Sequence, residues 1–336
     1  MAVVHAYADG DYDRSSFHLA GSSPLVAQLA SHIAVHAVTG LQGLSDSNRD
    51  PNDASLFASR TAHPTVGLVD HVSVLPLTLE PPDDKSDMPP SISISLDEWL
   101  QALQPIAGTE KDASQGNHLL LHPSTPTTST GWVARTIGTS LQQAGVEILW
   151  YGYADPLNTP LAQVRKTRTR FFEELPSVTS SSSSSSSTPI LFGQSTVGAP
   201  PHFVENYNIQ LGTTSKAQAS SLTRWIRSRE GGLPFVEALT LPHGQDPITN
   251  KPYYEEASNL LHPSVTSVED MEIRGQEWRM MHPENLSIPY HGYRVGTTID
   301  MCLKALEITS QSLKQEDQYN QRVRTDLERF LEGKNH

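Results

Sequence analysis

The first residues in the chain placed to do acid–base chemistry lie in the stretch TAHPTVGLVDHVSVLPL, residues 61–77. His63 stands directly before Pro64, which biases it to extended backbone at the entrance of an apolar run. An imidazole at such a strand mouth titrates near neutrality and can act as a general base. A turn histidine bonded to backbone is the plainer alternative. Asp70 sits inside the apolar run, followed by His71. A carboxylate there must find a partner, because desolvating it alone is costly. It is therefore either structural or part of a site.

Four other groups deserve the same question. YADGDYDRSSF places Asp9, Asp11 and Asp13 just before Arg14. That turn-rich cluster reads as a solvated loop, or as one that positions a cation or a polar substrate. RKTRTR holds Arg165, Lys166, Arg168 and Arg170. It is a solvated helix face, or a patch that steers anions. His32 and His36 are four apart on a helix, the spacing of a metalloprotease pair. That motif needs a glutamate after the first histidine, and Ile33 stands there, so no metal is expected. GQSTVG (193–198) has Gly-x-Ser-x-x-Gly spacing, not that of a nucleophile elbow, and reads as a glycine-rich turn before a strand.

These groups need elements to hold them. Residues 22–40 read as a helix, with Ser22 or Ser23 as cap, Pro24 in the first turn and Gly40 at the end. Leu25, Val26, Leu29 and Ile33 give it an apolar face. From Thr65 to Leu77 apolar residues fall on both parities, which predicts a central strand covered on both sides. Residues 79–130 are rich in Pro, Ser, Asp and Thr and read as an insertion. GWVARTIGTSLQQAG predicts a helix ended by Gly145, and VEILWYGY a strand. Eight serines, Ser180–Ser187, mark a linker over 176–189. Beyond it the expected order is strand, helix, strand, strand, helix, strand, helix.

That order favours an α/β (α+β sandwich) fold of two ferredoxin-like subdomains over a doubly wound sheet. The expected divisions are 1–175, the linker 176–189, a second subdomain over 190–315 and a charged tail over 316–336. With 336 residues there is room for two cores. The net charge of 24 − 37 = −13 offers no basic field for nucleic acid. A single cysteine, Cys302, excludes an intramolecular disulfide framework and a cysteine-rich zinc site, and it favours a reducing compartment. No apolar run approaches the roughly 20 residues of a membrane span, and no signal-peptide pattern opens the chain.

Taken together, these stretches resemble the formiminotransferase domain family, and its plant-type single-enzyme members above all. HPTVGLVDH with VLPL is similar to the family's His-Pro-x-x-Gly-x-x-Asp strand, and VEILWYGYAD with LAQVRK to its Tyr-Gly strand and helix. FVENYNIQL is similar to its Asn-rich strand, and EGGLPFVEALTL and EEASNLLHP to the strands after it. The resemblance implies two α/β subdomains with a ligand groove between them. It also implies passage of a formimino group from N-formimino-L-glutamate to N5 of tetrahydrofolate, the co-substrate. It places the catalytic residues on His63 and on Asp9, the family's aspartate, which is expected to orient or charge-stabilise the site. Arg14, Asp70, Asn206, Asn208 and Arg165 are the expected substrate and folate contacts. The family's opening strand, Pro-Asn-Phe-Ser segment and helix have no counterpart here, so the first subdomain is expected to lack them. A folate-binding protein with little transfer activity is the alternative. The expected partners are folate and formiminoglutamate-like small molecules, with a homodimer compatible. The expected compartment is the cytoplasm, with an upstream organellar segment left open.

Overall fold

The computed structural model describes residues 1–12, 14–46, 65–77, 128–167, 193–282, 284 and 288–332. The chain divides into two compact units, Met1–Leu79 with Pro126–His336, and Glu80–Thr125; every described residue belongs to the first. It is mixed α/β, with six helices among the described residues.

The chain opens as an antiparallel hairpin, β1 (Ala2–Asp9) and β2 (Arg14–Ala20), with Asp9 paired to Arg14 across its turn. Helix α1 (Ser23–Asp46) follows and packs on α2 (Ser129–Gln143). Its buried ridge is Ala27, Ser31, Ala34 and Val38, while Leu25 is 47% exposed and Leu29 and Ile33 are half-buried. The expected face is thus rotated, because small residues at i, i+4, i+7 let α2 approach closely. Thr128 caps α2 by accepting the Gly131 N–H at 3.1 Å, and Gly145, at φ 89°, turns the chain out of it.

Under these helices lies a parallel three-stranded sheet of β3 (His71–Ser73), β4 (Glu147–Gly152) and β5 (Gln194–Ala199), in the order β3-β5-β4. Two expectations change here. The stretch 65–77 contributes only three residues to the ladder, and it flanks the sheet instead of forming its middle. The Asp70 carboxylate is the reason: its Oδ1 accepts the Val66 N–H at 2.8 Å, folding 66–70 into a turn that meets β5 only through the Val66 carbonyl and one Gly67–Gly193 bridge before the ladder starts at His71. The middle strand is β5, from the GQSTVG motif, whose residues Ser195–Ala199 are all buried. It follows the serine-rich stretch in sequence yet pairs with both strands that precede it.

The rest forms a second layer pair. In chain order it runs β6 (Glu205–Leu211), α3's successor α4 (Lys216–Ile226), β7 (Val236–Gln245), β8 (Pro252–Leu260), α5 (Val268–Met281) and β9 (Tyr290–Val295), where α3 is the short helix Leu161–Thr167 after β4. The strands form an antiparallel sheet in the order β7-β8-β6-β9. Ser215 caps α4, and a Ser267–Asp270 capping box starts α5. Leu222, Ile226, Met271 and Trp278 from these helices bury one face of the sheet against Tyr207, Ile209 and Leu211. The final helix, α6 (Ile299–Glu332), lies on the hairpin. None of the helices is long and apolar enough to cross a membrane, among the described residues.

Candidate functional site

The face of the four-stranded sheet that α4 and α5 do not cover is unusually polar. Strand alternation and register place Glu237 opposite Asn259, Asn259 opposite Asn206, and Glu255 opposite Gln210 on that face. Asn208 lies opposite Tyr293. An antiparallel sheet often turns a polar face to water, but here Glu255 and Asn208 on that face are buried.

Glu255 is the centre of this face and has no exposed surface. Its Oε1 accepts hydrogen bonds from the Tyr12 hydroxyl and from Asn208 Nδ2 at 2.7 Å, and its Oε2 accepts the Tyr293 hydroxyl at 2.8 Å. Burial, together with the Glu255 charge, pushes the hydroxyls of Tyr12 and Tyr293 far up, so both stay protonated donors. His243 stands beside it on β7, with Nδ1 3.4 Å from Glu255 Oε2 and Nε2 3.4 Å from Asp9 Oδ2. Asp9 Oδ1 is already engaged by the backbone N–H groups of Asp11 and Tyr12, at 2.9 and 3.0 Å. The hairpin turn is thereby tied to the sheet.

A second cluster is built on β2, the 66–70 turn and α3. Asp70 Oδ2 meets Arg14 Nη2 at 3.0 Å and Arg165 Nη2 at 3.4 Å, with Asp70 and Arg165 both nearly buried. Thr196, in the middle strand, donates to the Asp70 carbonyl at 3.0 Å. Burial pulls Arg165 below the ordinary guanidinium range, opposed by Asp70 and aided by Arg14. Burial also raises Glu237, against the pull of Arg229 and Arg165. Nearby, His71 Nε2 and the Tyr151 hydroxyl lie 2.9 Å apart. Burial holds the Tyr151 hydroxyl well above its usual range, so it stays protonated beside the imidazole.

Both clusters border one groove of about 3130 Å³. That is several times the roughly 300–1,000 Å³ usual for one drug-sized ligand, so two reactants fit. Arg14, Arg165, Lys166, Arg227 and Arg229 line it against Asp70 and Glu237. In a chain of net charge −13 this is a local basic wall, suited to anionic ligands.

Of the expected site residues, Arg14, Asp70, Arg165, Asn206 and Asn208 all line this groove. Asp9 does not line it; its carboxylate instead meets His243 at 3.4 Å. His63, Arg168, Arg170 and the serine run lie outside the described residues. His32 and His36 stack on each other on the exposed side of α1, and Ser195 is sealed inside β5. Sequence reasoning missed Tyr12, His243, Glu255 and Tyr293. Glu255 carried the same signal as Asp70, a carboxylate inside a strand; His243 carried none, since it ends a strand beside a glycine. No family model matches the chain, and no curated protein matches it either.

Proposed function

We propose that the chain is a folate-dependent, glutamate formimidoyltransferase-like enzyme, with the groove holding tetrahydrofolate and N-formimino-L-glutamate together. The observation that carries this reading is the meeting, in one groove, of an amide- and carboxylate-rich sheet face with an arginine wall. Asn206, Asn208 and Asn259 present the donors and acceptors a pterin edge requires. Arg14 and Arg165 suit the carboxylates of the donor or of folate's glutamate. The order β-α-β-β-α-β with sheet order β7-β8-β6-β9 supports a ferredoxin-like second lobe.

In this mechanism N5 of tetrahydrofolate attacks the amidine carbon of the donor. A new C–N5 bond forms, and the bond from that carbon to the glutamate nitrogen breaks. His63 takes the proton lost from N5 and returns it to the departing glutamate nitrogen. Such a group contributes about 10²–10⁴-fold.

The test is glutamate release from formiminoglutamate in the presence of tetrahydrofolate. The native chain is expected to release glutamate, with His63→Ala slower by about 10²–10⁴-fold. Arg165→Ala is expected to raise KM about tenfold or more, the loss of one charge-assisted contact. Equal rates in the native chain and His63→Ala remove His63 as the base. No release, with tetrahydrofolate still bound by titration, replaces the enzyme with a folate-binding protein.

A further inference from the structure

Beyond the groove, the end of the sheet gathers an arrangement to which the transfer steps above assign no part. Asp9, Asp11 and His243 each aim one ligand atom into a common space, all within 4.8 Å of one another. Two of these residues come from the β1–β2 turn and the third from β7 on the opposite side of the sequence. We propose that these three residues bind a divalent transition-metal ion such as Zn²⁺, with Glu255 orienting His243 from behind.

Distance is the first argument. His243 Nε2 lies 3.4 Å from Asp9 Oδ2 and 3.7 Å from Asp11 Oδ2. Both are long for an N–H···O bond, whose usual range is about 2.7–3.2 Å. They are close to the edge of a coordination tetrahedron, since metal–ligand bonds of about 2.0–2.1 Å separate neighbouring ligands by about 3.3–3.4 Å.

Tautomer is the second. His243 Nδ1 faces Glu255 Oε2 at 3.4 Å, and Glu255 is a wholly buried carboxylate. With a metal on Nε2, this carboxylate accepts the ring proton at Nδ1 and orients the imidazole, the usual arrangement behind a metal-ligating histidine. Gln210 is the other neighbour of Nδ1, at 3.4 Å. Its amide nitrogen faces the ring there, and a turn of the amide accompanies a proton on Nδ1 when the metal binds.

Preorganisation is the third. The two backbone N–H groups on Asp9 Oδ1 fix that carboxylate with Oδ2 turned to His243. The Tyr12 ring packs 4.8 Å from the imidazole and restricts its rotation. Three carboxylates around one imidazole leave a local charge that a dication offsets. One nitrogen and two carboxylate oxygens suit Zn²⁺ or Mn²⁺ better than Ca²⁺. Three protein ligands also leave a coordination position open to water.

The test is calorimetric titration of the full chain with ZnCl₂, with circular dichroism to check each variant's fold. The expected result is one ion per chain, with Asp11→Asn and His243→Ala each weakening it at least tenfold. Glu255→Gln is expected to weaken it about 10–100-fold, the usual effect of losing a supporting carboxylate. Asp11 is exposed at the turn, so its variant keeps the test sound should the buried ones fail to fold. His32→Ala/His36→Ala is expected to bind zinc like the native chain. Absence of binding to the native chain overturns the proposal and leaves a proton on Nε2 as the bridge to Asp9. Binding that survives Asp11→Asn and His243→Ala, or that is lost with the His32/His36 pair, overturns it as well.

Discussion

Asp70 holds two guanidinium groups and a backbone N–H with a single carboxylate, and only 13% of its side chain is exposed. Removing it leaves the Arg14 and Arg165 guanidinium groups side by side without the carboxylate that joins them. Asp70→Ala is therefore expected to destabilise the fold by about 2–4 kcal/mol, read from urea unfolding. A loss below about 1 kcal/mol would show that solvent screens both pairs as it does at a surface. This residue was legible in the sequence because a charged group in an apolar run demands a partner. The identity of the partners was not, since Arg14 and Arg165 lie far from it along the chain. His243 was not legible at all: its role depends on a hairpin turn more than 200 residues away.

At the scale of elements, the contact between α2 and β4 turns on one missing side chain. A methyl group on Gly138 would sit 2.3 Å from the Trp150 ring. In an open helix an alanine is better than glycine by about 1 kcal/mol; here the sign reverses. Gly138→Ala is expected to destabilise by about 1–3 kcal/mol through overpacking, and a higher melting temperature for the variant would refute that contact.

Strand β8 offers a pH test. Glu255 lies on the polar face and its neighbour Glu256 on the helix-covered face, wholly buried, with Oε2 lacking a partner among the described residues. Burial, then the Glu255 charge, pushes Glu256 up to about 8, against the Ser258 hydroxyl, which stabilises the charged form. The folded state thus holds a proton that the unfolded state has released above about 4.5. Stability contributed by this proton is complete below that value and is lost as pH rises through about 8. Glu256→Gln removes the dependence. Relative to the variant, the native chain is expected to lose about 3–4 kcal/mol between pH 5 and 8, measured by denaturant unfolding at each pH. Parallel pH profiles would mean that Glu256 is ionised within the fold. Strand periodicity made β6, β7 and β8 readable, since their alternation is regular. It misplaced 65–77, where the Asp70 side chain competes with the ladder for Val66.

Across the whole molecule the charge is divided: a basic groove wall within a chain of net −13. Attraction of an anion to that wall is opposed by the rest of the field and weakened by salt. Tetrahydrofolate binding, if the proposed function holds, is expected to weaken between about 0.05 and 0.3 M salt as the Debye length shortens, followed by titration. Salt-independent binding would place the contact on neutral groups alone. The arginines were readable singly; their gathering on one wall was not, because it depends on how the two sheets fold together.

The order β3-β5-β4 has a consequence for how the chain is born. Parallel strands need long crossovers, and here the strand in the middle is the last of the three to be synthesised. Until residues 194–199 leave the ribosome, His71–Ser73 and Glu147–Gly152 have no ladder to join. Contacts of such long sequence separation form slowly. The parallel sheet therefore forms only after roughly three-fifths of the chain exists, and during that wait its two flanking strands expose unpaired edges to whatever else is in the cell.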